Sequence, residues 1–152
     1  MLQALHSRVS TDAGFSVSEL LVTIALIAIL SAGAVSNLKE LDDPLSDASF
    51  TVTHYLRLVR ARAISQTSFI EVVPGSTTTI AASSSDSCTG VMTPIEGLTV
   101  NLPRGSQLTA TDWSACFTPR GLSDANVLFT IRDTDGRTRS VEIALGGGVQ
   151  IQ

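Results

Sequence analysis

Apolar positions group in three distinct ways along this chain. From Leu20 to Leu38 no charged residue occurs; as a helix this run of about 19 residues measures roughly 28 Å, close to the hydrocarbon thickness of a bilayer. Lys39-Glu40-Leu41-Asp42-Asp43-Pro44 interrupts it, and Pro44 disfavours helical backbone at Asp43, so the helix is expected to kink or restart there. Next, Leu45, Ala48, Val52, Tyr55, Leu56, Val59 and Ala63 recur at three- and four-residue spacing, while Asp47, His54, Arg57 and Arg60 take other positions. That spacing predicts an amphipathic helix over 45–66 with one buried face.

From Phe69 onward the pattern shortens to β-rich segments separated by turn formers. Phe69–Val73 and Thr77–Ile80 flank Pro74-Gly75-Ser76 and read as a hairpin, with the serine-rich 83–87 stretch as a loop. Gly97–Leu102 and Cys116–Thr118 are candidate strands. Val127–Arg132 and Arg139–Leu145 flank Asp133-Thr134-Asp135-Gly136, a second hairpin with an Asp-Gly turn, and a last strand is expected over Val149–Ile151. The fold class is therefore α+β: a long N-terminal helix in two halves, followed by an antiparallel sheet domain over 69–152.

Composition removes several chemistries. The 152 residues carry 10 Lys+Arg against 14 Asp+Glu, for a net charge of −4. Lys39 is the sole lysine, so the chain as a whole is not built for nucleic acid. Two histidines, His6 and His54, and two cysteines without CxxC spacing are too few for a zinc site. No phosphate-cradling glycine motif or nucleophile elbow occurs. His54 has no carboxylate one helical turn away, so it reads as a surface or interface residue rather than part of a catalytic triad. Asp42-Asp43 and Asp133–Gly136 read as turns; the second lacks a calcium loop's terminal glutamate, since Ala144 stands there. No catalytic residue, metal site, cofactor or small-molecule substrate is expected.

The N-terminal run admits three readings. A plain anchor has the right length but leaves Glu19 without a reason, because a carboxylate costs about 2.5 to 3.5 kcal/mol at the centre of a membrane helix and less near the interface. A secretory signal would use Arg8, the 20–30 apolar run and Ala32-Gly33-Ala34, releasing a chain that starts at Val35; Asp12 and Glu19 then lie unhelpfully beside the apolar core. In the third, Gly14-Phe15 followed by Glu19 and an apolar helix resembles the signal of the type IV prepilin and type II secretion pseudopilin family.

That resemblance implies a leader over 1–14, cleavage by prepilin peptidase between Gly14 and Phe15, N-methylation of Phe15, and a membrane-spanning and later filament-core helix over 15–43. The globular domain would follow over 44–152. Glu19 would be an assembly residue, its carboxylate met by the free Phe15 amine of a neighbouring subunit. Ala25, Ala28 and Ala32 would give one helix face on which other helices approach closely. Asp12-Ala13 departs from the family, which often has a basic residue just before the glycine. The implied location is single-pass in the inner membrane before assembly, then a surface or periplasmic filament, with other pilins or pseudopilins as partners.

Tyr55–Ile64, Phe117–Gly121 and Asp135–Ile143 resemble the GspH/FimT-like minor pilins and pseudopilins, with a major pilin as the alternative. Members of that group that bind DNA for transformation share a basic Gly-Arg-x-Arg near the C-terminus. Here Gly146–Gln150 holds no arginine, and Gly136-Arg137-Thr138-Arg139 lies beside Asp133 and Asp135. Arg137 and Arg139 are thus the candidate nucleic-acid contacts of an alternative reading, a secreted or anchored DNA-binding domain. In an exported domain, Cys88 and Cys116 are expected to form a disulfide, with buried free thiols as the alternative.

Overall fold

The computed structural model describes residues 16–38 and 43–152, with side chains for 16–31 and 43–152. The leader, the Gly14-Phe15 junction and the 39–42 break lie outside the described residues. The chain divides into two compact units at Asp42/Asp43.

In the first unit, helix α1 spans Val17–Leu38. Its start is a reciprocal cap. The Ser16 amide donates to Glu19 Oε2 at 2.9 Å and the Glu19 amide donates to Ser16 Oγ at 3.3 Å, the Ser-x-x-Glu arrangement that satisfies two otherwise orphaned amides. Thr23 and Ser31 donate their hydroxyls to the Leu20 and Ile27 carbonyls at 2.9 and 2.7 Å, so their polar hydrogens are satisfied inside the helix, as an apolar surrounding requires. Among the described residues no helix is long and apolar enough to cross a membrane. The described side chains end at Ser31, before the uncharged run does.

The second unit opens with α2, Pro44–Gln66. Pro44 occupies the first turn, where its missing N–H costs nothing. All seven positions of the expected stripe, Leu45, Ala48, Val52, Tyr55, Leu56, Val59 and Ala63, are buried. Thr67 ends the helix in the left-handed conformation (φ 51°), with the Ser68 amide closing onto the Ala63 carbonyl.

Eight strands follow: β1 Phe69–Ser76, β2 Thr79–Ser85, β3 Thr93–Asn101, β4 Ser106–Leu108, β5 Ala115–Phe117, β6 Val127–Asp133, β7 Thr138–Ile143 and β8 Val149–Ile151. They form two antiparallel sheets, in the orders β3-β2-β1-β5 and β4-β6-β7-β8. Ile70, Val72, Ile80 and Phe117 from the first sheet, and Phe129, Ile131, Val141 and Ile143 from the second, are buried in one cluster with the α2 stripe. Alternation sets the faces: along β6, Val127, Phe129, Ile131 and Asp133 are buried while Leu128 and Arg132 are exposed.

Two local expectations are corrected, and one strand is added to those expected. The first hairpin turns at Thr77-Thr78 rather than at Pro74-Gly75-Ser76, because β1 runs on through an irregularity between Pro74 and Ser76 and Ser76 Oγ accepts the Thr78 amide at 3.1 Å. Ser83–Ser85 belong to β2, not to a loop: that strand pairs with β1 on one side and β3 on the other, and neighbouring strands override the weak propensity of serine. The short edge strand β4 has no counterpart in the pattern read from the sequence.

Candidate functional site

The residues that the sequence singles out lie at the start of α1 and on the β domain. Glu19 lies in the first turn of α1, one oxygen engaged by the Ser16 amide. A carboxylate has about four lone-pair positions, so it retains capacity for a donor from elsewhere. Among the described residues no group of three or more His, Cys, Asp or Glu side chains could hold a metal ion.

The pairing expected of the cysteines is present. Cys88 and Cys116 are joined across a Cα–Cα distance of 5.8 Å, tying the loop after β2 to buried strand β5. Trp113, just before that strand, stacks on Phe129 with ring centroids 4.3 Å apart, a packing role. His54 is exposed on α2. Tyr55, one residue on, points inward and donates its hydroxyl to the Leu98 carbonyl at 3.0 Å; burial pushes its phenol well above the usual value.

The prokaryotic N-terminal methylation motif is matched over residues 10–35. The type IV minor pilin FimU of Pseudomonas aeruginosa is similar in structure with a TM-score of 0.55 and 18% identity, over 71% of this chain and 87% of that one. The minor pseudopilin EpsH from the type 2 secretion system of Vibrio cholerae is similar with a TM-score of 0.57 and 14% identity, over 72% of this chain and 97% of that one. The fold is that of these minor pilin and pseudopilin structures. No curated protein matches the chain by sequence.

On this pilin fold the two candidate DNA arginines are already engaged. Arg137 donates to Asp133 at 2.7 Å and reaches Asp43 at 3.3 Å, and Arg139 donates to Ser46 Oγ at 3.2 Å. Both therefore tie the β6–β7 turn to the start of α2, and a phosphate at Arg137 would have to compete with two carboxylates already beside it. The arginines that sequence reasoning passed over are Arg57 and Arg60. Arg57 donates to the Val149 carbonyl at 2.9 Å, and Arg60 donates to the Gly121 and Gly146 carbonyls at 2.8 and 3.3 Å. Their one-turn spacing on the rim of the buried stripe was the available signal; their carbonyl partners, more than 60 residues away, were not visible in it.

Asp133 supplies a pH-dependent element of this domain. It is 4% exposed. Burial alone would raise its carboxyl, but the hydrogen bonds and charge of Arg137 outweigh that and hold it below the ordinary range. A carboxyl lowered in the folded state adds stability that is fully present above its unfolded value, near 3.9, and is lost as pH falls through the folded value. The urea midpoint of the domain is expected to drop in acid below about pH 4, and Asp133→Asn to remove part of that dependence. Equal acid slopes for the two proteins would refute this role.

Proposed function

We propose that the chain is a structural subunit, a GspH/FimT-like minor pilin or pseudopilin, of a type IV pilus or type II secretion-like filament. It is inserted once through the inner membrane with residues 1–14 as leader, cut between Gly14 and Phe15 by prepilin peptidase, methylated on Phe15, and then drawn into a surface or periplasmic filament. Its partners are the peptidase and other pilins or pseudopilins, and it carries out no chemistry of its own. The observation that carries the reading is the presence in one chain of a methylation motif over 10–35 and a fold similar over 71–72% of the chain to a minor pilin and a minor pseudopilin.

Glu19 explains why a carboxylate is retained at the head of an apolar helix. Alone in hydrocarbon it is costly, but staggered subunits bring it the free amine of a neighbouring Phe15, and a paired charge is tolerated where an isolated one is not. Glu19→Ala keeps the apolar run and the cleavage junction while removing the pair. Membrane levels are expected to stay normal while the amount in sheared filaments falls about tenfold or more, the loss that about 1.4 kcal/mol produces. Wild-type recovery in filaments would refute the assembly role.

A further inference from the structure

The first sheet carries a polar pocket at the end where β1 begins, β2 ends and β3 begins. Its volume is about 460 Å³, and its lining includes the hydroxyl residues Ser68, Ser84, Ser85 and Thr93 and the carboxylate of Asp86. Ser84 has Thr93 beside it because the two are cross-strand partners in β2 and β3. Gly90 and Val91 complete the lining from the loop between those strands. That loop is fastened twice: Cys88 is bonded to Cys116 of β5, and the Gly90 amide donates to the Ser87 carbonyl at 3.1 Å. Gly90 packs directly on the turn, since a Cβ there would collide with Ser85 Oγ and lie 3.3 Å from the Ser87 carbonyl oxygen. Two polar groups of the pocket are left over by the fold. No ion pair among the described residues involves Asp86. Ser68 Oγ is buried with no hydrogen-bond partner among the described residues, although buried polar atoms as a rule have one.

We propose that this pocket binds a neutral polyhydroxylated ligand, a saccharide unit. The lining selects that class by elimination. It holds no Lys, Arg or His, so an anion would meet only the like charge of Asp86. Asp86 is its one carboxylate, and among the described residues no cluster of His, Cys, Asp or Glu could hold a metal ion; a hard dication asks for more charged oxygen than that. An apolar molecule would leave the hydroxyls without partners, which is costly once water is displaced. A sugar ring meets each demand. Its hydroxyls donate to the Asp86 oxygens, in the stronger charge-assisted kind of hydrogen bond. They also exchange hydrogen bonds in both directions with serine and threonine, whose hydroxyls both donate and accept. Exposed Val91 offers an apolar contact for the C–H face of the ring. The volume falls within the range of about 300 to 1,000 Å³ usual for small-molecule pockets. Because the disulfide holds the loop in place before a ligand arrives, little ordering has to accompany binding. The pocket lies wholly within the 43–152 unit, and its chemistry is the same whether or not the chain enters a filament.

The test uses the full chain purified in detergent, with glucose, galactose and N-acetylglucosamine as probes and saturation-transfer NMR as the readout. At least one of the three is expected to bind with a Kd on the order of 1 mM, as the usual affinity per atom gives for a ligand of this size. Asp86→Ala is expected to weaken that binding at least about tenfold, the loss of charge-assisted hydrogen bonds, and Ser84→Ala about threefold, the loss of a neutral one. Asp112→Ala removes an exposed carboxylate outside the pocket and is expected to change nothing. Unchanged urea midpoints separate loss of binding from loss of fold, and Ser84→Ala keeps the test decisive if Asp86→Ala disturbs its loop. No transfer to any of the three sugars at concentrations well above that Kd would overturn the assignment, as would transfer that both pocket variants leave intact. Transfer to Nα-acetyl-lysine amide in preference to the sugars would overturn it in favour of a cationic side chain.

Discussion

Gly147→Ala is expected to lower the stability of the 43–152 domain by about 2 to 5 kcal/mol, summing a left-handed backbone penalty and an overpacking penalty. Gly147 has φ +73°, and a Cβ built there lands on the Gly121 carbonyl oxygen and close to Arg60 Nε. The obstruction is backbone, not the free end of a side chain. The Gly121 carbonyl is itself held by the Arg60 Nε–H, and Gly147 is held by its amide donating to the Ala144 carbonyl at 2.7 Å. Neither loop can withdraw without giving up the bonds that fasten the end of α2 to the second sheet. Gly136→Ala is the internal control, because Gly136 has φ +83° with nothing within 4 Å of a Cβ, and only the backbone penalty of about 1 to 2 kcal/mol applies. Urea unfolding with unchanged slope separates the two. Equal midpoints for the two variants would show that the 121/147 contact is not a constraint.

Replacing both Cys88 and Cys116 by alanine is expected to cost about 3 to 4 kcal/mol. Their sequence separation is 28, and the entropy returned to the unfolded chain by opening a loop of that size gives this magnitude. The bridge also holds the loop carrying exposed Val91 to a strand, Ala115–Phe117, that is buried throughout. Loss of the bridge is therefore expected to leave the second sheet intact and loosen the 86–92 segment first, visible as faster amide exchange there than in β6 and β7. Reductant without effect on the urea midpoint would contradict the predicted contribution.

Much of this architecture was legible in the sequence because it rests on period. The α2 stripe was readable residue by residue, since a helix that buries one face must repeat its apolar positions at 3.6. The Asp135-Gly136 turn was readable because few residues besides glycine fit its φ of +83°. What period could not show was which neighbours a strand would acquire. Ser83–Ser85 look like a loop in isolation and are strand because β1 and β3 flank them. The same holds for function. Glu19 stood out because a carboxylate at the head of an apolar run is costly, whereas the bonds of Arg57 and Arg60 and the Gly121/Gly147 contact arise from residues distant in sequence. Arg137 shows the converse: its motif suggested a phosphate partner, and its geometry supplies two carboxylates instead.

Processing and assembly of this chain as a pilin-type subunit are tested most directly by the N-terminal sequence and intact mass of the protein from its native membrane fraction. The expected product is a chain that starts at Phe15 and carries one methyl group on its α-amine. A chain that starts at Val35, having lost Glu19 with a secretory signal, or one that retains Met1 as a simple anchor, would contradict it.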